Sequence, residues 1–198
     1  MGTLKPHNIT LQGKRVLLRP MTEGDWEVLM KWNRDSEILY FTEGDGVAEY
    51  RPEEVQQIYR SVSQNAFCFI IELNGVPIGE SWLQEMNLER ILSQYSSQDC
   101  RRIDLMIGEK TLWGLGIGTE VIRLLAEFGF EREKVDAIFA CDVADYNVRS
   151  IKAFQKTGFE VYATIPQPST NKARYRYDLV LTRKKWDESQ KGNRFNCG

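Results

Sequence analysis

The stretch Arg101 to Thr119, RRIDLMIGEKTLWGLGIGT, restricts the possible folds more than any other part of the chain. Arg102 to Ile107 carries Ile103, Leu105, Met106 and Ile107 around one acidic interruption, Asp104, and reads as a short, mostly buried strand. Gly114, Gly116 and Gly118 follow within five residues, and an amphipathic helix over 119–132 begins at once, with Val121, Ile122, Leu125 and Phe128 inward. A strand, a glycine-rich turn and a helix start make a phosphate cradle, because glycines let backbone N–H groups approach oxygens and the helix N-terminus adds its positive end. Gly118-Thr119 lacks the lysine of a Walker loop, and the glycine spacing is not that of a dinucleotide fingerprint. A plain helix start with flexible glycines fits the same residues.

Composition narrows the classes. At 198 residues the chain can bury one substantial core, so we expect a single domain over 1–198 with its core at about 15–186. A formal charge of −2 lacks the basic footprint of a nucleic-acid binder. No apolar run approaches a membrane span and no basic-then-apolar leader opens the chain, so a cytoplasmic protein without a membrane partner is expected. Cys68, Cys100, Cys141 and Cys197 show no metal spacing, which suits reduced thiols and no metal site.

Along the chain, Arg15–Arg19 reads as an opening strand ended by Pro20, and Thr22 with Asp25 marks a helix start. Trp26, Leu29, Met30 and Trp32 give that helix an inward face. Glu37 to Glu54 is acidic, with Tyr40, Phe41 and Tyr50 among six carboxylates, and Gly44 and Gly46 suggest an irregular loop. It is either a solvated surface or an aromatic-edged wall that attracts a cation. Pro52 opens a second helix, and Asn74-Gly75 predicts a hairpin of strands 67–73 and 76–83. Gly79 suggests a bulge or a close backbone approach, with Glu80 and Trp82 on one face. Residues 86–100 read as a loop over the site. A strand at 135–141, a helix at 147–157 closed by Gly158, and strands 159–164 and 174–182 complete the pattern, with a basic, partly disordered tail at 183–198. The order implies a mixed α/β sheet covered by helices.

Two motifs on the right elements carry a resemblance. Trp113-Gly114-Leu115-Gly116-Ile117-Gly118-Thr119 resembles the acetyl-CoA pyrophosphate loop of the GNAT N-acetyltransferase superfamily, with Trp113 where Arg or Gln is usual. Asn147-Val-Arg-Ser-Ile-Lys-Ala-Phe154-Gln-Lys-Thr-Gly158-Phe159 resembles the superfamily's helix beside the pantetheine arm. Leu18-Arg19-Pro20, Asn74 to Gly79, Arg102-Ile103-Asp104 and Cys141-Asp142 are most similar to aminoglycoside 6′-N-acetyltransferases. The resemblance implies a mixed central sheet splayed around acetyl-CoA, the co-substrate. It places Leu105, Met106, Ile107, residues 113–119, Asn147 and Phe154 on the acetyl-CoA side. It also makes Asp104 and Asp142 the catalytic aspartates, and Tyr40, Glu80 and Trp82 join them against a cationic amine.

The implied chemistry is direct attack of a primary amine on the thioester. An alkyl ammonium titrates near ~10 and aspartate near ~4, so Asp104 is expected to orient the ammonium and pass its proton through water. Asp142 would hold a second ammonium, and backbone N–H groups around Met106 would polarise the acetyl oxygen. Phe154 stands where many relatives carry a tyrosine acid. The 6′-amine of an aminoglycoside is the first substrate expected. The alternatives are the N-terminus of a ribosomal protein, a polyamine or siderophore precursor, or a decayed CoA-binding module. A monomer or homodimer is expected.

Overall fold

The structure, a computed structural model, describes residues 2–44 and 49–195, with side chains to Lys191. In chain order it contains β1 (Leu11–Gln12), β2 (Val16–Pro20), α1 (Trp26–Trp32), α2 (Ser36–Thr42), α3 (Pro52–Val62), β3 (Ala66–Leu73) and β4 (Val76–Glu85). Then come α4 (Glu89–Leu92), β5 (Cys100–Ile107), α5 (Ile117–Glu127), β6 (Ala137–Ala144), α6 (Val148–Gln155), β7 (Glu160–Pro166), β8 (Tyr175–Thr182) and α7 (Arg183–Phe195). The strands form one eight-stranded sheet ordered β1-β2-β3-β4-β5-β6-β8-β7. Only β5 and β6 run parallel; the other pairs are antiparallel.

Alternation along the strands feeds two cores. On β3, Phe69 and Ile71 pack with Val121, Ile122 and Leu125 of α5, while Cys68 and Ile70 pack on the other face with Leu29, Trp32, Val55 and Tyr59 of α1 and α3. Helices therefore cover both faces, as the sequence pattern implies. Trp32 is fully buried, which makes it core. The hairpin turns at Asn74-Gly75, both at positive φ. Gly79 is a close approach: an added Cβ would lie 2.2 Å from the Met106 carbonyl oxygen across the β4–β5 pair. A bulge lies beside it on the same strand: Ile71 and Glu72 of β3 pair with Gly79 and Pro77, which leaves Ile78 as the extra residue.

Two expectations are corrected. The acidic stretch from Glu37 is not irregular at its start, because Asp35 caps α2 by accepting from the Glu37 and Ile38 N–H groups and Ile38 and Leu39 are buried. Asp45, Gly46, Val47 and Ala48 lie outside the described residues. The tail is a helix from Arg183 through Phe195, fastened by Trp186, which stacks on Phe130 and donates to Glu131 at 2.7 Å, while residues 196–198 lie outside the described residues. The expected loop at 86–100 does contain one helical turn, α4.

The site is opened by a failure of pairing. β5 and β6 are in register only at Cys100–Arg102 against Ala137–Phe139 and then diverge. On its far side β6 breaks register with β8 between Ala140 and Val143, and Asp142 takes φ 56° there. A non-glycine residue in that conformation inside a bulge re-aims the strand end. The splay expected from the family resemblance is thus present at the predicted strands.

Candidate active site

A cavity of about 400 Å³ occupies the splay between β5 and β6. One end is the glycine loop. Gly114 and Gly116 adopt φ +78° and +80°, a conformation open to glycine at little cost, and a Cβ at Gly114 would meet nothing. Gly116 is the N-cap of α5 and offers no side chain to the helix's first N–H groups, which are left available. These orphan donors, and space where a side chain would otherwise stand, fit the pyrophosphate of CoA. Trp113 fixes the approach to the loop: its indole N–H donates to the Ile107 carbonyl at 2.7 Å. Leu115 departs from the expected set, since its side chain is 57% exposed outside the cavity and its carbonyl accepts from Arg15 at 2.9 Å.

Ile107's carbonyl faces the cleft, whereas Met106's carbonyl faces Gly79 on β4. Within a strand, the N–H and C=O of one residue point to the same side. The cleft edge of β5 therefore presents Leu105 and Ile107, and the Met106 N–H points toward β4. Leu105, Met106, Ile107, Ile117, Gly118, Thr119, Asn147 and Phe154 all line the cavity. Asn147 is already engaged, donating to the Phe41 carbonyl at 3.0 Å and capping Ser150. Phe154 is buried against Phe159.

The opposite end is acidic and aromatic. Asp104 is gripped: its carboxylate accepts from Arg102 at 2.8 and 2.9 Å and from the Trp82 indole at 3.0 Å. Glu80, beside it on β4, is 4% exposed, and its Oε2 has no hydrogen-bond partner among the described residues. Burial raises its carboxyl well above the usual range; the negative charges of Asp104 and Glu43 add to this, and the Tyr59 phenol offsets part of it. Glu43 lines the same cavity, and there burial of its inner side and the Asp104 charge raise its carboxyl while Arg176 opposes them. Asn33 donates to the Tyr59 hydroxyl at 3.1 Å and fixes that wall.

Asp142 reaches the cavity from the β6 bulge but is tethered. Arg90 of α4 donates to it at 2.9 Å and also holds the fully buried Asp178 at 2.9 and 3.0 Å. Asp178 in turn accepts the Asp142 N–H at 3.0 Å. Tyr40 does not line the cavity. It stacks on Tyr146 at 4.8 Å with Lys172 over its ring, and its neighbour Phe41 faces the site instead. Sequence reasoning missed Arg90, Glu43, Tyr59 and Phe41 as parts of one site. The acidic, aromatic composition at 37–54 was the only signal for two of them.

Among the described residues, burial pushes the Cys68 thiol up to about 12 and Cys100 up to about 11, and raises Cys141 in the cavity wall, which favours the protonated thiol in all three.

Comparison with known proteins agrees with this geometry. The acetyltransferase (GNAT) domain family matches residues 15–160. An aminoglycoside N(6′)-acetyltransferase type 1 from Klebsiella pneumoniae is 28% identical over 172 residues, covering 85% of each chain. The solved structure of aminoglycoside acetyltransferase AAC(6′)-Ib with coenzyme A is 26% identical, covers 88% of this chain and 99% of that one, and superposes with a TM-score of 0.69. A spermidine N-acetyltransferase from Vibrio cholerae, solved with CoA and spermine, shares the fold at 17% identity, with a TM-score of 0.70 over 87% of this chain and 98% of that one. The chain belongs to the GNAT family, as an acetyl-CoA-dependent N-acetyltransferase.

Proposed function

We propose that the protein acetylates a primary amine of a cationic small molecule, with the 6′-amine of an aminoglycoside as the first candidate. The observation that carries this reading is the convergence of Glu43, Glu80 and Asp104 with Trp82 and Tyr59 at the end of the cavity opposite the glycine loop. The relatives that are themselves aminoglycoside acetyltransferases support the choice of substrate. The acidic, aromatic end is also suited to a linear polyamine, the second reading, and the fold-level likeness to a spermidine acetyltransferase accords with it.

Acetyl-CoA supplies the activated acyl carbon, and the chain's residues do the rest. Asp104, immobilised by Arg102 and Trp82, orients the ammonium rather than carrying its proton away. Glu80 is the better proton acceptor: its raised proton affinity narrows the gap to an amine, and its Oε2, buried in the cavity wall, has no hydrogen-bond partner among the described residues. An ammonium entering beside it favours the ionised carboxylate, which takes one proton so that the neutral amine can attack, and the second proton, shed as the amide forms, passes through solvent to the departing CoA thiolate. Leu105 and Ile107 N–H groups, on the free edge of β5, are placed to polarise the acetyl oxygen. Asp142 shares its charge with Arg90 and therefore offers a second ammonium a weaker hold than a free carboxylate would.

Thiol release from acetyl-CoA tests this with kanamycin, a 6′-hydroxyl aminoglycoside, spermidine and a basic peptide N-terminus as acceptors. Turnover with kanamycin and none with the 6′-hydroxyl compound is expected. Turnover with spermidine alone would replace the substrate and keep the chemistry. Turnover with the peptide alone would overturn the small-molecule reading.

A further inference from the structure

The glycine loop has no side-chain cation at its first position, because Trp113 stands where the family pattern carries Arg or Gln. A cation nevertheless lies there. The Arg149 guanidinium, from the first turn of α6, sits 4.2 Å from the centre of the Trp113 ring and 4.4 Å from that of Phe41. Trp113 thus acts as a platform for an arginine from another element. Arg149, Lys152 and Lys156 are spaced by three and four residues, which puts them on one face of α6, and all three line the cavity. None of the three pairs with a carboxylate among the described residues. The other arginine at the loop, Arg15, is committed to Glu120 at 2.8 Å and to the Leu115 carbonyl.

We propose that this basic face of α6 is a phosphate clamp for the acyl donor. Arg149 replaces the missing loop cation at the pyrophosphate, and Lys152 with Lys156 takes the outlying 3′-phosphate. A planar guanidinium held on an indole keeps its N–H edge free for phosphate oxygens, and bidentate pairing there is charge-assisted. The lysines, one and two turns further along, act as point charges on flexible stems. This assignment rests on acetyl-CoA as the donor and is independent of which amine is acetylated.

Calorimetric titration with CoA and with 3′-dephospho-CoA, without acceptor, separates the two roles. R149A should weaken both ligands about tenfold, as loss of a charge-assisted hydrogen bond predicts, and R149Q, which keeps most of the side chain but not the charge, should do the same. The double variant K152A/K156A should weaken CoA about fivefold, the size of an exposed charge pair, and leave dephospho-CoA unchanged, so the preference for CoA disappears. R149A binding both ligands within twofold of wild type would overturn the assignment of Arg149. R149Q binding both ligands within twofold of wild type would do the same, since the side chain would then act only by bracing Phe41 against Trp113. A CoA preference that survives in K152A/K156A would overturn the lysine assignment. Wild-type protein that binds neither ligand would instead contradict acetyl-CoA as the donor.

Discussion

Glu80 and Asp104 sit two residues from each other's cross-strand partners yet meet opposite fates. Asp104 is surrounded by donors, whereas Glu80 is buried among an aromatic wall and other carboxylates. A carboxyl whose folded pKa lies above its unfolded value contributes stability that is fully present below the unfolded value, near ~4.3, and is lost as pH rises through the folded value. E80Q removes that loss. Thermal melting against pH should show E80Q and wild type coinciding in acid, with E80Q the more stable above neutrality; parallel curves would refute the burial argument. Arg90 offers a second residue-scale test. R90A leaves the fully buried Asp178 without its guanidinium, and the partial exposure of Arg90 moderates the penalty to about 2–3 kcal/mol. Urea unfolding should show that loss.

At the scale of elements, β4 and β5 touch so closely at Gly79 that a methyl group has no room. G79A should cost about 3 kcal/mol through overpacking and lower the melting temperature by roughly 10 °C; a loss below about 1 kcal/mol would mean the strands part easily there. Elements were legible in the sequence where local chemistry dictates them: Asn74-Gly75 turns a hairpin, and the three glycines after a buried strand start α5. The strand carrying Asp104 was readable for the same reason. What was hidden depends on distant partners. Arg90 meets Asp142 52 residues away and Asp178 88 residues away, and no local pattern encodes that meeting. Helix α2 was masked by its acidic neighbours, although Ile38 and Leu39 bury it. Arg149, exposed at the surface of α6, meets Trp113 and Phe41 from other elements, a contact that no local pattern encodes. Tyr40 and Leu115, which the family resemblance implied in the site, do not line the cavity: Tyr40 stacks on Tyr146 and Leu115 is exposed.

For the whole molecule, a broken strand pairing makes the function possible. Beyond Arg102, β5 and β6 part and expose backbone donors, a glycine loop and a carboxylate wall to one cavity. Helix α2 spans the mouth, tied to the β6–α6 turn by Asn147 and Tyr146 and to the segment after β5 by Lys110 with Asp35 and Glu37. Donor and acceptor ends are therefore fastened to each other, which suits direct transfer between two bound partners rather than a covalent relay. Among the described residues no helix is long and apolar enough to cross a membrane.

On the proposed function, the carboxylate end of this cavity serves the amine and not the acyl donor. Steady-state acetyl transfer by D104N and E80Q, measured beside calorimetric CoA binding to the same proteins, separates the two roles. Each variant should show kcat lower by about 100-fold or more, with the CoA dissociation constant within twofold of wild type. A loss of CoA affinity in proportion to the loss of kcat, or an undiminished kcat, would place these carboxylates outside the amine site.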